Sequence, residues 1–157
     1  MINRSDLENF WTRGDIHTRI HKAMSEAGLN DKKLEIEDLF PIDQYHARGI
    51  AATVDLGKRM PISENQTIID IGCGLGGPAR YFAKQFKCLI TGIDITPSFI
   101  EIGNKFNNLT SMSKQVSLQI GNGETLDFED ETFDGGYSQH VTMNIKNRKE
   151  FFLEAFR

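Results

Sequence analysis

The chain has 157 residues, a length that suits one domain able to bury roughly 70% of its unfolded surface. Its 39% apolar and 25% charged residues exclude a disordered protein. A formal net charge of −4 argues against a nucleic-acid partner, no apolar run reaches the length of a membrane span, and residues 1–6 are not a signal peptide, so a cytoplasmic enzyme or binding domain is expected.

Residues 5–60 read as helical. The first helix is expected to start after Asp15 as N-cap, to carry Ile16, Ile20, Ala23 and Ala27 on one face, and to stop at Gly28. His17 and His21 stand i, i+4 on it, but no third ligand accompanies them and no metal is expected. The stretch from Asn30 is polar with scattered apolar residues and ends at the helix-breaking Pro41. A second helix is expected from about Asp43 to Arg59, with Ile50, Val54 and Gly57 on one stripe and Pro61 beyond its end.

From there the pattern alternates. Strand 67–71 leads to helix 78–86, whose Ala79, Phe82, Ala83 and Phe86 share a face. Strand 89–93 leads to helix 97–106, with Thr96 as N-cap and Pro97 at the first helical position. Strand 116–120, a loop of Gly, Asn and acids, strand 133–138 and a helix from Asn147 complete the chain. Such alternation implies right-handed crossovers and a parallel sheet with helices on both faces, an α/β fold. Residues 1–60 are expected to form an N-terminal helical segment that packs on the core and covers its ligand site, and residues 61–157 the core itself. Cys73 and Cys88 read as small buried hydrophobes, since two cysteines make neither a metal site nor a disulfide framework.

Chemistry concentrates at Asp70-Ile71-Gly72-Cys73-Gly74-Leu75-Gly76-Gly77-Pro78. Four glycines within six positions are expected where a bound ligand passes so close that any Cβ would collide with it. The run also satisfies G-x-G-x-x-G, so a nicotinamide-dependent oxidoreductase is one reading. Asp70 would repel a pyrophosphate, however, and Pro78 deletes one of the N–H groups that a helix start offers to phosphate. A cationic ligand loses nothing by either, which points to S-adenosylmethionine with its ammonium and sulfonium. Asp94, at the end of the second strand, can accept hydrogen bonds from both hydroxyls of a ribose, or can serve as a turn aspartate before Thr96.

With these motifs in this order, the chain resembles the class I S-adenosylmethionine-dependent methyltransferases of the small-molecule, type 11-like kind, from about Pro41 onwards. The resemblance implies a Rossmann-like sheet of order 3-2-1-4 with an N-terminal helical extension. It implies S-adenosylmethionine as cofactor, with Asp70, Gly72, Cys73, Gly74 and Gly76 at the methionine end and Asp94 and Ile95 at the ribose. Asn122 and Gly123 stand where the family usually has an Asp and Ala that face the adenine; the Asn carbonyl can still accept one hydrogen bond there. Gln139 and His140 match the loop that faces the transferred methyl group, so both are candidate catalytic residues, His140 as proton acceptor and Gln139 also in contact with the donor. Tyr45 is expected to close over the donor, and Gln44, His46 and Arg48 to reach its carboxylate or the acceptor, Gln44 and Arg48 from one helix face.

Transfer is then expected by SN2 displacement to the N, O or C atom of a small-molecule acceptor, with no nucleic acid and no membrane as partner. Family members carry seven strands and four are accounted for here. Strands five to seven are therefore expected to be absent and the fourth strand to be an open edge, through which two copies can pair as a homodimer. A donor-binding module without catalysis is the alternative reading of such a truncated chain.

Overall fold

A computed structural model describes residues 16–26, 28, 29 and 33–157. Asp15, Ala27, the start of the stretch at Asn30, and the side chains of His17 and His21 lie outside the described residues. Helix α1 spans Ile16–Glu26 and buries Ile16 and Ile20. It closes as expected at Gly28, whose N–H donates to the Ser25 carbonyl while that of Leu29 donates to the Met24 carbonyl, the paired bonds of a Schellman stop.

The next helical stretch departs from expectation. Helix α2 spans Ile36–Asp43 and α3 spans Ile50–Gly57, so the single helix from Asp43 to Arg59 does not exist. Two residues explain the break: Arg48 and Gly49 adopt left-handed backbone at φ 69° and 50°, which no helix accommodates. Gln44 and Arg48 therefore share no helix face. Helix α2 runs through Pro41, which gives up one backbone hydrogen bond to the preceding turn, and its start is secured by the Glu35 N–H donating to Asp38 Oδ2 at 2.9 Å.

Four parallel strands follow the expected alternation. They are β1 Thr67–Ile71, β2 Leu89–Asp94, β3 Val116–Ile120 and β4 Gly135–Tyr137, in the order β3-β2-β1-β4. The fourth is shorter than the predicted 133–138, pairing from Ile68↔Gly135 to Asp70↔Tyr137. Helix α4 spans Gly77–Phe86, α5 Pro97–Leu109 and α6 Arg148–Phe156. Thr96 occupies the N-cap of α5, but its side chain makes no capping bond; Asp94 Oδ1 accepts the Thr96 N–H instead, at 2.9 Å.

Period two sorts the central strand between two cores. Ile68 packs with Ala79 and Phe82 of α4, while Ile69 and Ile71 pack with Ile93 and Phe151 of α6. The strand thus has an apolar cover on each face, and Asp70 projects to the α4 side. No helix among the described residues is long and apolar enough to cross a membrane.

Candidate functional site

Beyond the carboxyl ends of β1, β2 and β4 lies a cavity of about 590 Å³. It stands where the strand order reverses, since β1 has β2 on one side and β4 on the other, the usual place for a ligand in an open α/β sheet. The turn after β1 supplies Gly72, Cys73 and Gly74; the end of β2 supplies Asp94 and Ile95; the loop after β3 supplies Asn122 and Gly123. Gln139 and His140 enter from the loop after β4, and Asp43, Tyr45 and His46 from the end of α2.

Asp70 is 1% exposed and lines the cavity. The Tyr137 hydroxyl donates to its Oδ2 at 2.8 Å across the β1–β4 pair. No cationic side chain among the described residues offsets the charge, and burial, with Asp94 adding to it, pushes Asp70 up to about 7 against the Tyr137 bond. A carboxylate in this setting is electrostatically incomplete: a cationic ligand restores what burial removes.

The glycine turn has a different cause from the one its spacing implied. A Cβ on Gly77 would stand 2.5 Å from the Asp43 carbonyl, and one on Gly76 would stand 2.7 Å from Leu118 Cδ1. Gly72, at φ 88°, would collide with the Val141 side chain. Three of the four glycines are therefore required by protein neighbours, because the end of α2, a β3 side chain and the loop after β4 all close on this turn. Gly74 alone has no atom within 4 Å of its Cβ direction. Gly76 does not line the cavity; it is the N-cap of α4. The buried thiols of Cys73 and Cys88 are pushed up, chiefly by burial, which makes them poor nucleophiles.

Both readings of Asp94 meet in one residue. Its Oδ2 accepts the Gly74 N–H at 2.9 Å and its Oδ1 the Thr96 N–H, so the carboxylate braces two turns while lining the cavity. Burial raises its pKa, and these backbone bonds oppose the rise. Each oxygen keeps a further lone pair for a ligand hydroxyl. Asn122 is similarly engaged, its Oδ1 accepting the Glu124 N–H at 3.0 Å.

On the opposite wall, the His46 and His140 rings stack with centroids 5.0 Å apart and planes 6° apart. Behind them is the fully buried Thr53, whose Oγ1 donates to Gln44 Oε1 at 2.6 Å and lies 3.3 Å from both His46 Nε2 and Gln139 Oε1. Tyr45 is 57% exposed at the rim. Arg48 does not line the cavity; its Nη2 pairs with Asp55 Oδ2 at 2.6 Å on the surface. No group of three His, Cys, Asp or Glu side chains among the described residues is placed to hold a metal.

Sequence reasoning missed the buried pair beneath the turn. Arg80 Nη2 donates to Asp43 Oδ2 at 3.0 Å and to the Leu75 carbonyl, and Nη1 donates to Asn107 Oδ1 at 2.7 Å and to the Gly103 carbonyl at 3.2 Å. One guanidinium thus ties α2, the glycine turn and α5 together. Burial pushes Asp43 up to about 6 despite Arg80, and lowers Arg80 despite Asp43. The one local signal was a cation on the apolar side of α4; its partner stands 37 residues away.

The family model described as "Methyltransferase domain" matches residues 69–157, more than half of the chain. The chain belongs to the methyltransferase domain family. This methyltransferase domain is 35% identical over 102 residues to "Methyltransferase phqN" of Penicillium fellutanum, covering 65% of this chain and 31% of that protein. It is also 35% identical over 104 residues to "24-methylenesterol C-methyltransferase 3" of Arabidopsis thaliana, covering 66% of this chain and 28% of that protein. The chain thus spans less than a third of the length of these two relatives. Among solved structures, a geranyl diphosphate methyltransferase in complex with SAM superposes with a TM-score of 0.64 at 23% identity, covering 68% of this chain and 44% of that one. At that identity the match establishes the fold: a Rossmann-like methyltransferase sheet of order 3-2-1-4 flanked by helices.

Proposed function

We propose that this methyltransferase domain binds S-adenosylmethionine in the cavity and, in its whole protein, methylates a small-molecule acceptor. The observation that carries the reading is Asp70, buried at the end of β1 with a hydroxyl but, among the described residues, no cation beside it. The donor's ammonium is the matching charge. Asp70 and the turn around Gly72 and Gly74 would hold the methionine end, Asp94 and Ile95 the ribose, and Asn122 and Gly123 the adenine. The segment before residue 61 would cover this site; among its described residues, Tyr45 and His46 line the cavity.

S-adenosylmethionine supplies a methyl carbon already activated by its bond to a positively charged sulfur. The chain's own contribution is orientation, which can be worth roughly 7–11 kcal/mol of a barrier, together with exclusion of water. His140 would receive the proton that an N–H or O–H nucleophile loses, and Gln139 would orient that nucleophile. Ile16, Ile20, Ile42, Phe99 and Ile145 give the cavity broad apolar walls, which favour an acceptor with a large hydrocarbon part. The sterol and geranyl diphosphate relatives named above support that class.

The test is isothermal titration of the chain with S-adenosylmethionine, followed by a methylation assay on a panel of sterols, prenyl diphosphates, phenols and small amines. Absence of heat at millimolar donor refutes the reading. Heat without turnover favours the second reading, a donor-binding module, for which the engagement of Asn122 Oδ1 by Glu124 speaks. Pairing of two copies along the outer edge of β4, which has no further strand beside it among the described residues, would appear as a concentration-dependent dimer in sedimentation.

A further inference from the structure

We propose that His46 is a positioning residue for His140, and that the two stacked imidazoles form one proton-accepting unit on the acceptor side of the cavity. This rests on the reading of the cavity as a methyl-transfer site.

The two rings come from unrelated parts of the chain, His46 from the turn after α2 and His140 from the loop after β4. Their planes are nevertheless parallel within 6°. His140 sits at φ 59°, a left-handed conformation that is uncommon outside glycine, though histidine adopts it more readily than most residues. Two contacts hold it here. The adjacent Val141 is wedged against Gly72, and the His140 ring lies on the face of His46.

His46 has an acceptor beside each ring nitrogen. Its Nδ1 is 3.3 Å from the Ala47 carbonyl, and its Nε2 is 3.3 Å from Thr53 Oγ1, whose proton goes to Gln44 Oε1. Each neutral tautomer therefore donates to one of these two acceptors, and the ring plane does not depend on which one forms. Thr53 is fully buried and its Oγ1 also lies 3.3 Å from Oε1 of Gln139, the neighbour of His140, so one side chain touches both the turn that carries His46 and the loop that carries His140. Among the described residues no hydrogen-bond partner occupies the His140 ring, which leaves its nitrogens to the acceptor.

Proton acceptance follows from this arrangement. As the acceptor's N–H or O–H gives up its proton to a His140 ring nitrogen, the electron pair of that bond stays with the nucleophile, and the proton passes on to solvent. Charge on His46 is disfavoured meanwhile: burial holds its pKa down against the Ala47 bond, and His140 lowers it further. The charged groups that share the cavity are Arg19 of α1, Asp43 of α2, Asp70, Asp94, Glu124 and Lys146.

Imidazole NMR titration of the 157-residue chain tests the pairing without requiring turnover. In the His140→Phe variant the ring stack survives but its charge does not, so His46 should take its proton at higher pH than in the native chain. Turnover supplies the second readout, with whichever acceptor the panel identifies. His46→Ala should lower kcat about 10- to 100-fold while the Kd for S-adenosylmethionine stays within twofold, and His46→Phe, which keeps a ring under His140, should recover much of that loss. An unchanged His46 titration in His140→Phe, or an undiminished kcat in His46→Ala, overturns the proposal. Were no acceptor in the panel methylated, the functional reading would fail by itself and the titration would still decide the pairing.

Discussion

Replacing Asp70 with Asn removes a buried charge and keeps the shape of the side chain, so its Oδ1 can still accept the Tyr137 hydroxyl. The carboxyl is pushed from 3.8 to about 7 in the fold. At about 1.36 kcal/mol per unit, the ionised group costs the ligand-free protein about 4 kcal/mol. The sign follows from proton counting. Below pH 3.8 the group is neutral whether folded or not and costs nothing; between 3.8 and 7 the folded state holds more protons, so stability falls as pH rises; above 7 the whole cost is present. Asp70→Asn should therefore be more stable than the native chain by about 4 kcal/mol at pH 8, shrinking to about 1 kcal/mol at pH 4.5. In a domain of this size the pH 8 difference corresponds to roughly 8–16 °C in Tm. The same variant should lose the charge-assisted bond to the donor ammonium, about 2–3 kcal/mol, or roughly 30- to 150-fold in Kd. Urea unfolding at the two pH values and calorimetric titration with S-adenosylmethionine measure both halves. A variant that is no more stable at pH 8, a gap that ignores pH, or an unchanged Kd would refute the reasoning.

In the native chain the donor ammonium should pair with ionised Asp70 only, so the Kd should rise by up to tenfold per unit as pH falls below about 7. Titrations in buffers of different ionisation enthalpy should show a proton released on binding at pH 6. Arg80→Met strands Asp43 in the interior and should destabilise the fold by about 3–5 kcal/mol in chemical denaturation. Asp43→Asn in the same background should recover part of it by removing the stranded charge. Gly72→Ala should cost at least about 2 kcal/mol, since its methyl group would overlap Val141 and its backbone is left-handed; the donor Kd should weaken as well, because the turn must shift.

Much of the core was legible because its signals are local. Ile68 to Ile71, Leu89 to Ile93 and Val116 to Leu118 announce strands by composition. The stripe Ala79, Phe82, Ala83 announces a helix by spacing. The α2–α3 region was less legible because two opposite signals misled there. Pro41 reads as a break yet lies inside a helix, and Arg48, an ordinary helix former, sits in left-handed backbone where the break occurs. The conformation of Arg48 depends on how the turn must bend to reach α3, which no local preference encodes.

The sequence by itself determined the alternating α/β order, the acid at the end of β1, the acid at the end of β2 and the glycine turn between them, because each is a short-range pattern. Tertiary structure alone decided what those residues face. It decided that most of the turn's glycines make room for Asp43, Leu118 and Val141, that Tyr137 is the partner of Asp70, and that Arg80 and Asp43 meet beneath the turn. It likewise decided that His46 and His140 lie ring to ring while Arg48 points to Asp55. These pairs are separated by up to 94 residues in the chain, and charge and shape complementarity between such distant segments exists only once the sheet has brought them together.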